Sequence, residues 1–397
     1  MTRSPLRVLC LDIEGGYGGS SRSLFEALRH IDRDAVQPEV WCRRAGPIQP
    51  RYDAIGVPVR VEPTMPRFSA LSALSRNLAV AAMFARSFVR ARPFRGRLAR
   101  EVADRFDLVH FNHEGLYWLA RWLRRRVDAA SSMHIRTNIE PTSFARFQAR
   151  TISRAIGHRV FITENEEANY RRLGGTGPGT VIYNPVAFDA DAADPDPDLM
   201  GRGGFRIACI ANFSYWRGVD RLAELARALD GMGRRDIHFI VAGSLAMTRS
   251  LPGGLGRTAR AGGDFKAYVE QRGLGRYFTF LGHVADPERV LASCHVLIKP
   301  TRMNEPWGRD VIEALAAGRP VISFGSWGGY IRHGETGLLF ADYDPDAVAH
   351  AIVALAGAPD RVATMGSAAR AHILKVCDGR ARAADLLAVW QGLAGAS

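Results

Sequence analysis

Two doubly wound α/β domains, one after the other, are the fold class that this sequence predicts. Three observations lead there. Short apolar runs alternate with stretches whose apolar residues recur at three- and four-residue spacings. The alternation restarts after an Asp-, Pro- and Gly-rich segment in mid-chain. The chain also has 397 residues, enough for two domains at about 150 residues each. Strands that alternate with helices imply parallel sheets covered on both faces. Each domain is then Rossmann-like, with ligands expected outside the carboxyl ends of its strands and in the cleft between the domains.

The first strand lies in LRVLCLDI (6–13), followed by the glycine loop EGGYGGSS (14–21) and a helix marked by Leu24, Phe25, Leu28 and Ile31. Further strands are expected at Glu39–Cys42, Val57–Val61, Leu108–Phe111, Ser132–Ile135 and Arg159–Thr163. Residues 189–204 (DADAADPDPDLMGRGG) have no apolar period and read as the linker between domains 1–188 and 205–375. In the second domain the strands are Phe205–Ile210, His238–Ala242, Phe278–Leu281, Val296–Ile298 and Val321–Ser323, with a helix at Val219–Leu229. Residues from about 345 onward read as helical. The last segment, 376–397, holds an amphipathic helix at Arg380–Leu393 whose Leu386, Val389, Trp390 and Leu393 can pack back on the first domain.

Composition narrows the function. The longest apolar runs, Leu78–Ala85 and Ile352–Ala358, are far shorter than the ~20 residues a membrane span needs. The apolar stretch Val8–Leu11 is too short for a signal-peptide core, so a cytoplasmic protein is expected. Five cysteines without a CxxC spacing read as buried thiols rather than a zinc cage. The net charge of +13 is one-sided: residues 1–190 hold 29 arginines against 18 acidic residues, and the rest of the chain 24 basic against 22 acidic. Such a field favours an anionic partner: nucleic acid, a phospholipid surface or a phosphorylated substrate. Residues 68–100 interleave Arg76, Arg86, Arg90, Arg92, Arg95, Arg97 and Arg100 with Leu71, Leu74, Leu78, Phe84 and Phe88. This stretch reads either as a surface helix for an anionic bilayer or as a domain helix with a solvated arginine face.

The strongest chemical signal is NEPWGRDVIEALAAGRPVI (304–322), in which a strand ends near Pro300, a loop carries Glu305 and a helix opens at Gly308. A helix N-terminus that begins at glycine offers unpaired N–H groups and a positive dipole end, which suits a diphosphate. Glu305 before that helix and Glu313 inside it can each accept hydrogen bonds from hydroxyl groups on either side of the diphosphate.

This segment resembles the retaining glycosyltransferases of family 4, of the GT-B class, whose hallmark is E-P-[FW]-G-x-x-x-x-E-A-x-A-x-G-x-P-V, and the resemblance extends over nearly the whole chain. It implies that Glu305 contacts the transferred sugar, the amides of Gly308, Arg309 and Asp310 the diphosphate, and Glu313 the ribose. NFSYWRGVDRL (212–222) is similar to the family segment that supplies cations to the donor phosphates. There Arg217 stands where the family usually has lysine, and Asn212 where it has its first arginine; Lys299 or Arg302 can supply the missing charge. FIVAGS (239–244) places Gly243 near the nucleotide, FLGHVADPERV (280–290) lies where the family meets the base, and GETGLLF (334–340) is read as a turn. In the first domain the resemblance brings Gly18 and Gly19 to the donor diphosphate and the acceptor. It makes His134 the histidine near the transferred sugar. By position in the sequence, Arg136 can bind an anionic acceptor or the diphosphate, and His113 is a further candidate contact to the acceptor.

No DxD motif interrupts the loops expected to face the cleft, so metal-independent chemistry without a cofactor is expected; the resemblance implies that the leaving phosphate itself takes the acceptor proton. The expected function is transfer of a sugar from a nucleoside-diphosphate sugar to a glycan or lipid-linked acceptor, in bacterial-type polysaccharide or glycolipid synthesis. The alternatives are an epimerase or hydrolase of the same class and, ranked behind these, a nucleic-acid-binding protein that uses the basic front half. Nucleic acid is not an expected partner, because no nucleic-acid motif accompanies the arginines and the Glu305/Glu313 element would go unused.

Overall fold

The computed structural model describes residues 4–12, 16, 18–66, 78–186, 194–201 and 204–395. The chain divides into two compact units, Met1–Pro185 with Cys377–Ser397, and Val186–Val376.

The first unit is built on a parallel sheet of β1 (Leu6–Leu11), β2 (Val36–Cys42), β3 (Val59–Val61), β4 (Leu108–Phe111), β5 (Ala130–Ile135), β6 (His158–Phe161) and β7 (Gly179–Val181). Its strand order is β3-β2-β1-β4-β5-β6-β7. Successive residues of β1 serve opposite faces, as the period of two requires. Leu9 and Leu11 join a core with Val109, Phe111 and Met133, while Val8 and Cys10 join another with Leu108 and Val160. The second face is covered by the helix Gly19–His30 and by the last helix, Gly379–Gly395, whose Ala383, Leu386 and Trp390 are buried there.

The second unit repeats the plan with β8 (Phe205–Ile210), β9 (Ile237–Ala242), β10 (Phe278–Gly282), β11 (Val296–Lys299), β12 (Val321–Phe324) and β13 (Gly337–Phe340), in the order β10-β9-β8-β11-β12-β13. In both sheets the direction of winding reverses once, between β1 and β4 and between β8 and β11. Those are the places where an open parallel sheet leaves a crevice for a ligand.

Three expectations need correction. GETGLLF is not only a turn: Gly337–Phe340 pairs with β12 as the edge strand, and a Cβ at Gly337 would lie 2.2 Å from the Val321 carbonyl oxygen. Part of the expected linker is folded, because Asp196 caps a short helix at Pro197–Met200 and its amide donates to Ser293 Oγ at 2.8 Å. The basic stretch is not one surface helix. Residues 67–77 lie outside the described residues, and beyond them Leu78–Arg90 and Arg92–Arg105 are separate helices. The second of these buries Phe94, Leu98 and Val102, and its Arg97 and Arg105 pair with Glu62 and with Glu39 and Glu101. Among the described residues no helix is long and apolar enough to cross a membrane.

Candidate functional site

In the second unit, the residues singled out from the sequence gather at the carboxyl ends of β8, β9 and β11, around the point where the winding reverses. The β8 loop runs close against the end of β11. Gly218 has φ +70°, and a Cβ there would lie 1.8 Å from the Pro300 carbonyl oxygen. Arg221 reinforces the contact by donating to the carbonyls of Pro300 and Thr301 at 3.2 and 2.6 Å. Asn212 crosslinks β8 to β9, since its Oδ1 accepts from the Ser244 amide at 2.9 Å. Its amide nitrogen has no partner among the described residues. Gly243, at φ +139°, is fixed by the same approach: a Cβ would lie 2.3 Å from the Ala211 carbonyl oxygen.

Two cations face different fates here. Arg302 is spent on structure: it binds Asp220 in a two-pronged pair at 2.6 Å, donates to the Tyr215 carbonyl at 2.7 Å and stacks on the Tyr215 ring. Arg217 is exposed and makes no hydrogen bond or ion pair with any described residue. Its charge nonetheless reaches the buried Cys209 thiol, which also feels Asp310 and Lys299. Burial pushes that thiol up to about 12, Asp310 adds to the rise, and Lys299 and Arg217 oppose it.

The helix Arg309–Ala316 opens on Gly308, whose φ of +151° costs glycine little and strains any residue with a Cβ. A Cβ would sit 2.5 Å from Asp310 Oδ1 and 2.7 Å from Lys299 Nζ. Glycine thus leaves room for the Lys299–Asp310 ion pair, at 3.1 and 3.2 Å. Glu313 is buried and accepts from Arg309 Nε at 2.8 Å. Glu305 is half-buried in the loop before the helix. That loop is wedged by Trp307 against Trp327 and, through Asn304, tied to Ser326.

In the first unit, the residues at the ends of β1, β4 and β5 form a buried polar network. Register places His110 opposite Ser132, and the period of two puts His134 on the same face. His110 Nδ1 lies 2.8 Å from Ser132 Oγ, His110 Nε2 lies 2.8 Å from His134 Nδ1, and the Trp390 indole N–H donates to Ser132 Oγ at 3.1 Å. Neither Ser132 nor Trp390 was singled out as a site residue from sequence. The alternation of Ser132 and His134 was visible, but their partner strand and covering helix were not.

Arg136 and His113, expected to contact the acceptor, are committed within the fold. Arg136 donates to the backbone carbonyl and side chain of Asn112 at 2.7 and 2.6 Å and to Asn184 at 2.9 Å. Asn112 in turn donates to Asp12 at 2.8 Å. His113 caps the turn Glu114–Leu116 by accepting from the Gly115 amide at 3.0 Å. Gly18 caps the helix that begins at Gly19; its φ is −77° and a Cβ there would meet nothing within 4 Å, so packing does not demand glycine. Residues 13–15 and 17 of that loop lie outside the described residues.

Burial, aided by Arg136, pushes His110 down to about 3 and holds His134 well below the ordinary histidine range. Both stay neutral in the folded chain, whereas each takes a proton below about pH 6.5 once unfolded. The unfolded state then binds more protons, so stability falls as pH drops from about 6.5 toward the folded values. The expected slope is up to about 1.4 kcal/mol per pH unit for each histidine. Urea unfolding across this range should show it, with a shallower slope in His110→Gln; a flat profile contradicts the burial argument.

Residues 204–357 match the family described as glycosyl transferases group 1, and residues 15–186 match the glycosyl transferase 4-like domain. A D-inositol 3-phosphate glycosyltransferase of Nocardia farcinica is 28% identical over 69% of this chain and 64% of its own length. The protein of that name from Rhodococcus erythropolis is 36% identical over 69% of this chain and 65% of its own length. The chain thus spans just under two thirds of each of these relatives. Among solved structures, Anabaena Alr3699/HepE in complex with UDP and glucose superimposes with a TM-score of 0.76 over 98% of this chain and 100% of that one, at 19% identity. Each half of the chain thus matches a glycosyltransferase family, group 1 in residues 204–357 and 4-like in residues 15–186, and its two parallel sheets have the GT-B fold that the sequence predicts.

Proposed function

We propose that the chain transfers a sugar, with retention and without a metal, from a nucleoside-diphosphate sugar to a glycan or lipid-linked acceptor. The observation that carries this reading is the convergence at the β8/β11 crevice of Arg217, which has no partner among the described residues, the Asn212 amide and a helix that starts at Gly308. The diphosphate would lie against the start of that helix, its growing charge met by Arg217 and the backbone amides. Glu313 would hold the ribose and Glu305 the sugar. As the bond from the anomeric carbon to phosphate breaks, the acceptor oxygen bonds the same face of that carbon and its proton passes to the departing phosphate oxygen. The scheme includes no metal: fixed cations and backbone amides would stabilise the departing diphosphate. A labelled-sugar assay in EDTA tests the reading. Transfer to acceptor with the donor's own anomeric configuration kept supports it, while release of free sugar alone indicates a hydrolase.

Glu313→Gln is expected to weaken nucleotide affinity by about tenfold, as loss of one charged hydrogen bond does. Glutamine is the better test than alanine, which would also remove the side-chain oxygen that Arg309 Nε donates to and cost stability. Calorimetric titration with the nucleotide reads the loss, and an unchanged affinity removes Glu313 from the ribose site.

The same reading includes an anionic membrane surface as the place where the acceptor is met. Its support is the helix Leu78–Arg90, where Met83 and Val89 are 45% and 69% exposed beside exposed Arg86 and Arg90. Apolar side chains flanked by arginine suit the headgroup layer. The expected result is co-sedimentation with vesicles that contain phosphatidylglycerol, not with pure phosphatidylcholine, and its loss in Arg86→Glu/Arg90→Glu. Equal retention on both lipids contradicts the electrostatic part of the reading.

A further inference from the structure

We propose that Ser132, whose oxygen also accepts from Trp390 of the last helix, sets the hydrogen-bonding character of His134 through His110, so that His134 presents a neutral Nε2–H donor. The argument is one of counting protons. An indole nitrogen only donates, so Trp390 makes Ser132 Oγ an acceptor at 3.1 Å. The hydroxyl still has its own proton to place, and its one other partner among the described residues is His110 Nδ1, at 2.8 Å. Ser132 is fully buried, so a proton left without an acceptor is costly. Ser132 therefore donates to His110 Nδ1, which must be bare.

A neutral imidazole with a bare Nδ1 is protonated on Nε2. His110 then donates from Nε2 to His134 Nδ1, 2.8 Å away, and the same logic puts the His134 proton on Nε2. That nitrogen has no partner among the described residues, although the side chain is 6% exposed. With the opposite alignment His134 would offer a lone pair and act as an acceptor or base. Ser132 thus decides, two side chains away, whether His134 shows a ligand a donor or an acceptor. Burial and the nearby Arg136 charge keep both rings neutral. Ser132 and His110 are positioning residues; that the donor meets the transferred sugar rests on the function proposed above, whereas the tautomer does not.

Histidine-selective ¹⁵N labelling of the full chain, read by long-range proton–nitrogen correlation, tests the chain of bonds. The expected result is that both His110 and His134 are protonated on Nε2. In Ser132→Ala the hydroxyl proton that keeps His110 Nδ1 bare is gone, so His110 and His134 can share their hydrogen bond in either direction. His134 should then appear as a mixture of tautomers, with kcat reduced about twofold as the competent fraction falls and donor KM little changed. Trp390→Phe removes an N–H but leaves the Ser132 proton with the same acceptor, so both rings should stay protonated on Nε2, and a mixture there overturns the proposal even if the Ser132 variant does not fold. A His134 protonated on Nδ1, or a wild-type mixture, overturns the proposal; so does a Ser132→Ala protein in which His134 stays wholly Nε2-protonated. Tautomers as expected with unchanged kcat keep the relay and remove His134 from the sugar site.

Discussion

Replacing Arg217 with alanine is expected to lower transfer by about two to three orders of magnitude, the loss typical of a single fixed electrostatic donor, while the melting temperature stays where it is. The reason is the contrast among the cations around β8 and β11. Lys299 is held by Asp310, Arg302 by Asp220, Arg309 by Glu313, and Arg221 by two backbone carbonyls. Removing any of those breaks the fold's own contacts as well as any contact with a ligand. Arg217 has no partner to lose among the described residues, so its side chain contributes little to folding and its loss reports ligand chemistry alone. Arg217→Lys should recover part of the rate, because the charge remains and the two-pronged reach does not. Steady-state kinetics beside a melting curve separate the outcomes. Transfer within threefold of wild type would take Arg217 out of the site.

One residue further on, Gly218→Ala is expected to do the reverse and cost about 3 kcal/mol or more in stability. Alanine at φ +70° is strained in itself. Its Cβ would also meet the Pro300 carbonyl oxygen at 1.8 Å, an atom of the backbone that cannot swing aside as a side chain can. The β8 loop must therefore lift off the end of β11, carrying Arg217 and the Arg221 contacts with it. Urea unfolding gives the loss, and a midpoint close to wild type would mean that the loop does not lie against Pro300. Adjacent residues thus separate what the loop binds from what holds it.

Much of this was legible in the sequence because it depends on local pattern. The apolar runs at Leu108–Phe111 and Phe205–Ile210 coincide with β4 and β8 as read, since strands buried on both faces are continuous apolar runs. β7 and β13 were not read, because each is short, sits at a sheet edge and begins with glycine. The helix after Gly308 was legible from its glycine and its following apolar spacing. What side chains do with one another was not. Arg136 and Lys299 looked like ligand cations in the sequence, and only the register and the loop paths show that Asn112, Asn184 and Asp310 already hold them. The same holds for the His110–Ser132–His134 row, which needs the pairing of β4 with β5, and for Trp390, which is over 250 residues from the serine it reaches.

The central claim is that the β8/β11 crevice binds a nucleoside diphosphate through Arg217 and a helix start without a metal. A thermal-shift series with UDP, GDP, ADP, CMP and NAD, each in EDTA and again in magnesium, tests it most directly, because a ligand bound only by the folded chain raises the midpoint. The account predicts that one nucleoside diphosphate raises the midpoint equally in EDTA and magnesium, and that Arg217→Ala loses the shift. A shift that appears only with magnesium, or none with any diphosphate, would contradict it.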